Sequence, residues 1–167
     1  TEVIAFLKAA AERQIDTACA HVFLEPERAW KIKRHADLGY ADFSTPERRK
    51  WALDRELESN KAAAPDIYRA VRPITREADG RLAIDGAGEP VEHVLEMRRF
   101  DEREVLAAKP ESVDGNLGEG LGRTIAGFHA AAPLRPAGGL TAMAVGALLL
   151  YSRTAIRRVC SVMLYWQ

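Results

Sequence analysis

The alternation of apolar and polar positions along the first hundred residues predicts an antiparallel sheet. Five segments show the period-two pattern of a strand. The predicted strands are Ala20–Leu24, Ala29–Arg34, Tyr68–Thr75, Arg81–Ile84 and Val91–Met97. Short segments rich in Gly, Asp, Pro or charged residues separate the first strand from the second, and they also separate the last three strands from one another. Such segments are typical of hairpin turns. The first two strands are therefore predicted to form a hairpin, and the last three an antiparallel meander.

Two helices are predicted in the same region from apolar residues at helical spacing. The first runs from Glu2 to about Arg13. The second begins at Ser44, whose side chain is expected to cap the backbone while Glu47 completes a capping box. This helix is predicted to end at about Ala63.

Beyond Phe100 the pattern becomes helical again. The stretch from Lys109 to Gly122 is interrupted by Pro and Gly residues, so a regular helix is expected only after it. Along that helix the residues of one face are Leu121, Thr124, Ile125, Phe128 and Ala132. The predicted fold class is therefore α+β, with an antiparallel sheet and one packed helix followed by a helical region.

The second predicted strand places two lysines on one face. Because successive strand residues point to opposite faces, Lys31 and Lys33 lie together while Trp30 and Ile32 take the other side. If this face lines a cleft, the ammonium group of one or both lysines could reach phosphate oxygens there.

Glu56 is the predicted partner of one of these lysines. In the second helix it shares a face with Leu53 and Leu57. A carboxylate in an apolar stripe is costly unless a cation pairs with it. We therefore expect Glu56 to face the sheet and pair with Lys31 or Lys33. The periodicity leaves an alternative open, in which both lysines are solvated and Glu56 lies at the edge of the stripe.

Composition and charge exclude some classes of partner. The chain has 24 basic and 24 acidic residues, whereas general binders of nucleic acids or anionic membranes need a basic excess. A nucleic-acid-binding hairpin based on Lys31, Lys33 and Arg34 is therefore disfavoured. Cys19 and Cys160 stand alone, and the segment that starts at Thr1 has no secretory pattern, so a cytoplasmic protein without a membrane partner is expected.

Several blocks of sequence resemble a bacterial aminoglycoside-phosphotransferase-like family. In order, they are Val22–Leu24, Ala29–Arg34, Leu38–Thr45, Glu56–Asn60, Ala64–Tyr68, Glu96–Asp101 and Ala126–Pro133. The resemblance covers about residues 15 to 133. It implies a protein-kinase-like fold, binding of ATP with Mg²⁺, and a small-molecule phosphate acceptor. Residues 1–100 would form the N-lobe, 101–133 the hinge and first C-lobe helices, and 134–167 a divergent apolar tail.

The resemblance also implies roles for individual residues. Lys31 or Lys33 would bind phosphate, and Glu56 would pair with that lysine. The backbone of a hinge would contact adenine; its residues are Glu96, Met97, Arg98 and Arg99. Ala29-Trp30-Lys31 has the Ala-x-Lys spacing of the kinase strand, whereas Lys33 is the last residue on that face before the strand ends. The choice between the two lysines stays open at this point.

The sequence departs from the family pattern in two places. The loop Thr17–Ala20 has no glycine to approach phosphate closely. After Pro133 there is no Asp or Glu at all, so neither a catalytic base nor a metal-binding Asp is expected there. His35–Leu38 and Asp42–Ser44 imitate kinase motifs but precede the helix that carries Glu56, so we assign them no catalytic role.

The expected function is nucleotide binding by the N-terminal portion of an ATP-dependent phosphotransferase, without catalytic residues. The alternative is a non-enzymatic kinase-like binding module. In either case, exposed apolar surface, including Leu140–Tyr151, is expected to promote self-association.

Overall fold

A computed structural model of the chain describes residues 1–106 and 109–132. The chain divides after Phe100 into two compact units, and each is described by itself. The first unit, Thr1–Phe100, contains a six-stranded sheet and two helices. The predicted α+β class is confirmed.

The sheet of the first unit is antiparallel throughout. Its strands are β1 (Arg13–Asp16), β2 (Ala20–Leu24), β3 (Arg28–Lys33), β4 (Tyr68–Arg76), β5 (Leu82–Ile84) and β6 (Glu89–Arg98). They lie in the order β1-β2-β3-β6-β4-β5. The helices are α1 (Glu2–Ala10) and α2 (Pro46–Lys61).

The predicted meander of the last three strands is wrong. β6 lies between β3 and β4, so that Leu95 is opposite Lys31 on one side and Val71 on the other. β5 pairs with the far end of β4, where Ile74 is opposite Ile84. A hairpin turn joins β4 and β5 as expected, but β6 pairs with β4 and β3 and not with β5.

The first predicted helix is too long. It ends at Ala10, and residues Arg13–Asp16 form β1 instead, with Arg13 opposite Leu24. The backbone N–H of Glu12 donates to the carbonyl of Leu24 at 2.8 Å, so pairing with β2 replaces the last helical turn.

One cluster of apolar core residues lies between α1 and one face of the sheet. Leu7 of α1 packs on a cluster of buried sheet residues, namely Phe23, Trp30, Ile32, Ile74 and Val94. Trp30 and Ile32 therefore take the α1 side of β3, as the alternation predicts, and Lys31 and Lys33 take the opposite side, toward α2.

Helix α2 begins one residue later than predicted. Thr45, not Ser44, is the N-cap, and its hydroxyl accepts from the backbone N–H of Arg48 at 3.4 Å. The N–H of Ser44 instead donates to the Asp42 carboxylate, which turns the chain before the helix starts. The helix ends at Lys61, before the expected Ala63.

In the second unit, the described residues form two short 3₁₀ helices and one α-helix. The 3₁₀ helices span Glu102–Glu104 and Pro110–Ser112, and α3 spans Gly115–Ala131. Helix α3 starts inside the stretch that was expected to be broken, because the Asp114 carboxylate caps it by accepting from the N–H of Leu117. The tail 134–167, with Leu140–Tyr151, lies outside the described residues.

Candidate functional site

Two lysines of β3 share the carboxylate of Glu56 on α2. The Nζ of Lys31 donates to Oε1 of Glu56 at 2.5 Å, and the Nζ of Lys33 donates to Oε2 at 2.8 Å. The prediction that Glu56 faces the sheet and pairs with one of the lysines is confirmed. The alternative, in which both lysines are solvated and Glu56 lies at the edge of the apolar stripe, is wrong. We call these three residues the lysine–glutamate cluster.

The cluster is withdrawn from solvent. Lys31 is 2% exposed, Lys33 6% and Glu56 5%. Burial lowers the pKa of Lys31, against the opposing effect of Glu56, and the nearby charge of Lys33 lowers it further. One carboxylate therefore serves two ammonium groups in a setting of low dielectric constant, where charge interactions are stronger than in water.

Two aromatic residues lie beside the cluster. The ring of buried Phe43, in the connector between β3 and α2, has its centroid 5.5 Å from the Nζ of Lys33, within cation–π range. Tyr68 is buried at the start of β4. Burial, and after it the charge of Glu56, raise the pKa of Tyr68 to about 12. Tyr68 therefore remains a neutral phenol at physiological pH.

The sequence did not predict a second buried ion pair, which involves Arg49. This residue lies on α2 seven residues, or two helical turns, before Glu56. Arg49 donates to Oε2 of Glu92 on β6 from Nε at 2.8 Å and from Nη2 at 2.5 Å. Its Nη1 donates to the backbone carbonyl of Phe43 at 2.8 Å. The spacing contained a signal, because position 49 precedes Leu53 by four and Glu56 by seven residues, on the same helical face.

The turn between β1 and β2 corresponds to the glycine-free loop noted in the sequence. It is tight, and Arg34 holds it: the N–H of Arg34 donates to the carbonyl of Cys19 at 2.8 Å, and its Nη1 donates to the carbonyl of Thr17 at 3.1 Å. The side chain of Thr17 also bonds to the backbone of Ala20. At least two carbonyl oxygens of this turn are therefore engaged within the protein.

The connector between β3 and α2, which contains the kinase-like motifs His35–Leu38 and Asp42–Ser44, forms a small turn. Asp37 and Asp42 pair as an isolated antiparallel bridge around Gly39, which has a φ of 78°. Each aspartate accepts from a backbone N–H two residues ahead, Asp37 from Gly39 and Asp42 from Ser44. These carboxylates stabilise turns of the connector.

The residues predicted to form the hinge lie at the end of β6. Glu96 and Met97 are inside the sheet, between β3 and β4. The backbone N–H of Arg98 donates to Ile67 at 2.8 Å, and that of Arg99 donates to Glu27 at 3.1 Å. The Glu96 side chain is buried and paired with Arg69 and Arg72. The structure thus brings Lys31, Lys33 and Glu56 together, whereas the amides of Arg98 and Arg99 bond within the first unit.

Two surface grooves flank the exposed Trp51 on the outer side of α2. One also involves Tyr40 and Arg48, and the other Lys50 and His93. Lys31, Lys33 and Glu56 line neither groove, whereas Phe43, which lies beside Lys33, lines the first.

Within residues 1–106 and 109–132, no group of three His, Cys, Asp or Glu side chains could hold a metal ion. In the same residues, no helix is long and apolar enough to cross a membrane.

Comparison with known proteins finds mycobacterial relatives. The chain is 30% identical over 117 residues to a protein of Mycobacterium bovis and to proteins of two Mycobacterium tuberculosis strains, all three described as uncharacterized. The match covers 68% of this chain and 22% of each relative, so the chain spans about a fifth of the length of these relatives. No protein-family profile and no solved structure matches the chain.

Proposed function

We propose that the lysine–glutamate cluster binds the phosphates of ATP, and that these residues are the nucleotide-binding part of a small-molecule phosphotransferase with a kinase-like fold. The observation that carries the proposal is the contact of Glu56 on α2 with Lys31 and Lys33 on the preceding strand. In protein kinases a lysine on the third strand pairs with a glutamate on the next helix and meets the nucleotide phosphates.

The physical argument is positioning. Phosphoryl transfer involves little covalent chemistry by the protein, so catalysis depends on fixed charges around the phosphates. A lysine on a flexible side chain is a poor fixed charge unless a rigid group aims it. Glu56 provides that group, because α2 holds it against β3 and its two oxygens bind one lysine each.

The two lysines support the proposal in different ways. Lys31 has the kinase Ala-x-Lys spacing and lies opposite Leu95 in the middle of the sheet. Lys33 is the last residue of β3 and lies opposite Ala20, next to the β1–β2 turn that would face the phosphates in a kinase. We therefore propose that both lysines contribute to phosphate binding.

Adenine recognition by Glu96–Arg99 stays a prediction. The location of this segment at the end of β6 supports it, whereas the amides of Arg98 and Arg99 already have partners.

Mg²⁺, which accompanies ATP in such enzymes, does not fit the carboxylates of the described residues. We therefore expect this chain to bind ATP without transferring phosphate. The activity and acceptor of a longer relative are likewise proposals.

Calorimetric titration of the 167-residue chain with ATP, adenosine and inorganic tripolyphosphate tests the proposal. We expect ATP and tripolyphosphate to bind and adenosine not to bind. Replacing the cluster by the variant K31M/K33M/E56Q, which removes both ammonium groups together with the carboxylate they share, should weaken ATP binding at least about tenfold, or ~1.4 kcal/mol. K50A, at an exposed lysine of α2 that pairs with Asp54, is the matched control and should bind as the wild type does.

Unchanged ATP affinity in the triple variant would show that the phosphate site is misassigned. Equal affinity for ATP and tripolyphosphate would rule out the adenine contact. A parallel incubation with labelled ATP, Mg²⁺ and a panel of aminoglycosides and sugars tests catalysis. Turnover by the wild type that the triple variant lacks would overturn the expectation of a catalytically incomplete chain.

A second candidate function is non-enzymatic binding through an apolar surface. The supporting observation is a stripe on α3 at helical spacing, formed by Leu117, Leu121, Ile125 and Phe128, which are 36–53% exposed. We propose that this stripe promotes self-association, as the sequence suggested. Sedimentation velocity of the wild type and of I125S/F128S tests it, since a monomeric wild type would contradict the proposal.

A further inference from the structure

We infer that Arg49 and Glu92 form a positioning pair that sets the place of Glu56, and through it the place of the two lysines. The significance of this inference rests on the proposed function, but its evidence is the packing of α2 alone. Three side chains of α2 are buried: Arg49, Leu53 and Glu56. Two of the three are charged, so charged contacts hold this helix to the sheet together with the apolar contact of Leu53.

The two charged contacts fix different strands to one helix. Arg49 binds Glu92 on β6, and two turns later Glu56 binds Lys31 and Lys33 on β3. Positions 49 and 56 are seven residues apart and therefore lie on the same face. A helix held at two points along one face cannot rotate or slide without breaking one of them. The Arg49 contact therefore limits where the Glu56 carboxylate can lie.

Arg49 also reaches the cluster by a second route. Its Nη1 holds the backbone carbonyl of Phe43, and the ring of Phe43 lies over the Nζ of Lys33. The guanidinium thus ties together α2, β6 and the connector, in a planar arrangement of donors that the single ammonium of a lysine does not reproduce. Arg49 is 7% exposed and Glu92 6%, so both lie beneath the surface.

The alternative is that Leu53 and the lysine–glutamate cluster suffice to hold α2, with the Arg49–Glu92 pair contributing stability only. The two cases differ in the accessibility of Lys31 and Lys33 in the folded protein. If Arg49 positions Glu56, weakening its contact exposes the lysines without unfolding the unit. If it is only a structural contact, the lysines become accessible in proportion to the loss of global stability.

The experiment measures the rate of amine acetylation at each lysine of the full chain by mass spectrometry, without nucleotide. The variants are R49K, which keeps the charge, and E92Q, which keeps the shape. Exposed Lys8 serves as the internal reference. The I74V variant, in the core on the α1 side, controls for global stability, and R48K at the exposed neighbouring position controls for the substitution itself.

We expect R49K and E92Q each to raise acetylation of Lys31 and Lys33 about tenfold, the scale of one buried charge-assisted hydrogen bond. R48K should leave the acetylation rates of Lys31 and Lys33 near those of the wild type. I74V should do the same when it is compared with R49K and E92Q at an equal decrease of melting temperature. In the E56Q background, R49K should add little, because the two changes act through the same carboxylate.

Equal acetylation in E92Q and in I74V at matched stability would overturn the inference, even if R49K fails to fold. The measurement uses no nucleotide, so failure of the proposed ATP binding would leave its outcome intact. If ATP binding is found, R49K should weaken it and R48K should not.

Discussion

The negative charge of Glu56 on α2 acts on the phenol of Tyr68 at the start of β4. Burial is the main cause that raises the pKa of Tyr68 to about 12, and the negative charge of Glu56 is the second. The phenol lies on β4, which β6 separates from β3, and it is nevertheless sensitive to the charge of Glu56.

Y68F should make the first unit less sensitive to alkali. Between pH 10 and about 12 an unfolded tyrosine loses its proton while folded Tyr68 keeps it, so the unfolded state binds fewer protons and stability falls as pH rises. Two pKa units correspond to roughly 2.7 kcal/mol, an upper value for a side chain that is not fully enclosed. Urea denaturation at pH 9 and pH 11.5 should show a smaller loss for Y68F than for wild type. Equal losses would contradict the assignment.

E56Q should destabilise the first unit by about 3 kcal/mol or more, because it leaves two buried ammonium groups without their carboxylate. Removing one of them in K31M/E56Q should restore part of the loss. The pH dependence has a definite sign. The folded pKa of Lys31 is lowered below 10.5, so the unfolded state binds more protons in that window and stability rises with pH.

The deficit of E56Q should therefore shrink as pH is raised from 7 toward 10.5, and the deficit of K31M/E56Q should shrink less. Urea denaturation of both variants beside the wild type measures this. A deficit of E56Q that grows with pH would show that Lys31 is not the group left uncompensated.

T45A should cost about 1 kcal/mol, the usual value for loss of a helix N-cap. The reason is that the Thr45 hydroxyl accepts from the N–H of Arg48 at the first turn of α2. S44A, one residue earlier, should stay within about 0.5 kcal/mol of wild type because Ser44 is outside the helix. Chemical denaturation of T45A and S44A decides between the two candidate N-caps. A larger loss of stability in S44A would show that Ser44 is the N-cap, as the sequence predicts.

G88A should destabilise the β5–β6 connection by about 1–3 kcal/mol. A Cβ at this position would overlap the backbone carbonyl of Arg76 on β4, which cannot move without disturbing the sheet. G118A on α3, where an added Cβ meets nothing, is the control for the added methyl group and should not destabilise, because alanine is favoured over glycine within a helix. Equal stability of G88A and wild type would show that the turn rearranges freely.

The parts of the site that follow a local period were predictable from sequence. The two faces of β3 follow from strand alternation, which places Lys31 and Lys33 opposite Trp30. The orientation of Glu56 follows from helical spacing and from the cost of burying an unpaired carboxylate. Each of these arguments needs only residues within one element.

The parts that depend on long-range pairing were not predictable in the same way. The placement of β6 between β3 and β4 requires contact between residues from opposite ends of the first unit, and hairpin-like turns favour the meander instead. The pairing of Arg49 with Glu92 depends on that same placement. Helical spacing places Arg49 on the same face as Leu53 and Glu56, but nothing within the segment Glu47-Arg48-Arg49-Lys50 identifies Glu92 as its partner.

The position of β6 has a consequence for how the chain folds. β3 emerges early from the ribosome, but its neighbour is completed only when Arg98 has been synthesised. Until then β3 has an unpaired edge, which is a template for association with other chains. Such sequence-distant pairing also raises contact order and slows folding. A nascent chain in which β6 has not yet left the ribosome should therefore expose this edge of β3, whereas one in which β6 is free to pair should not.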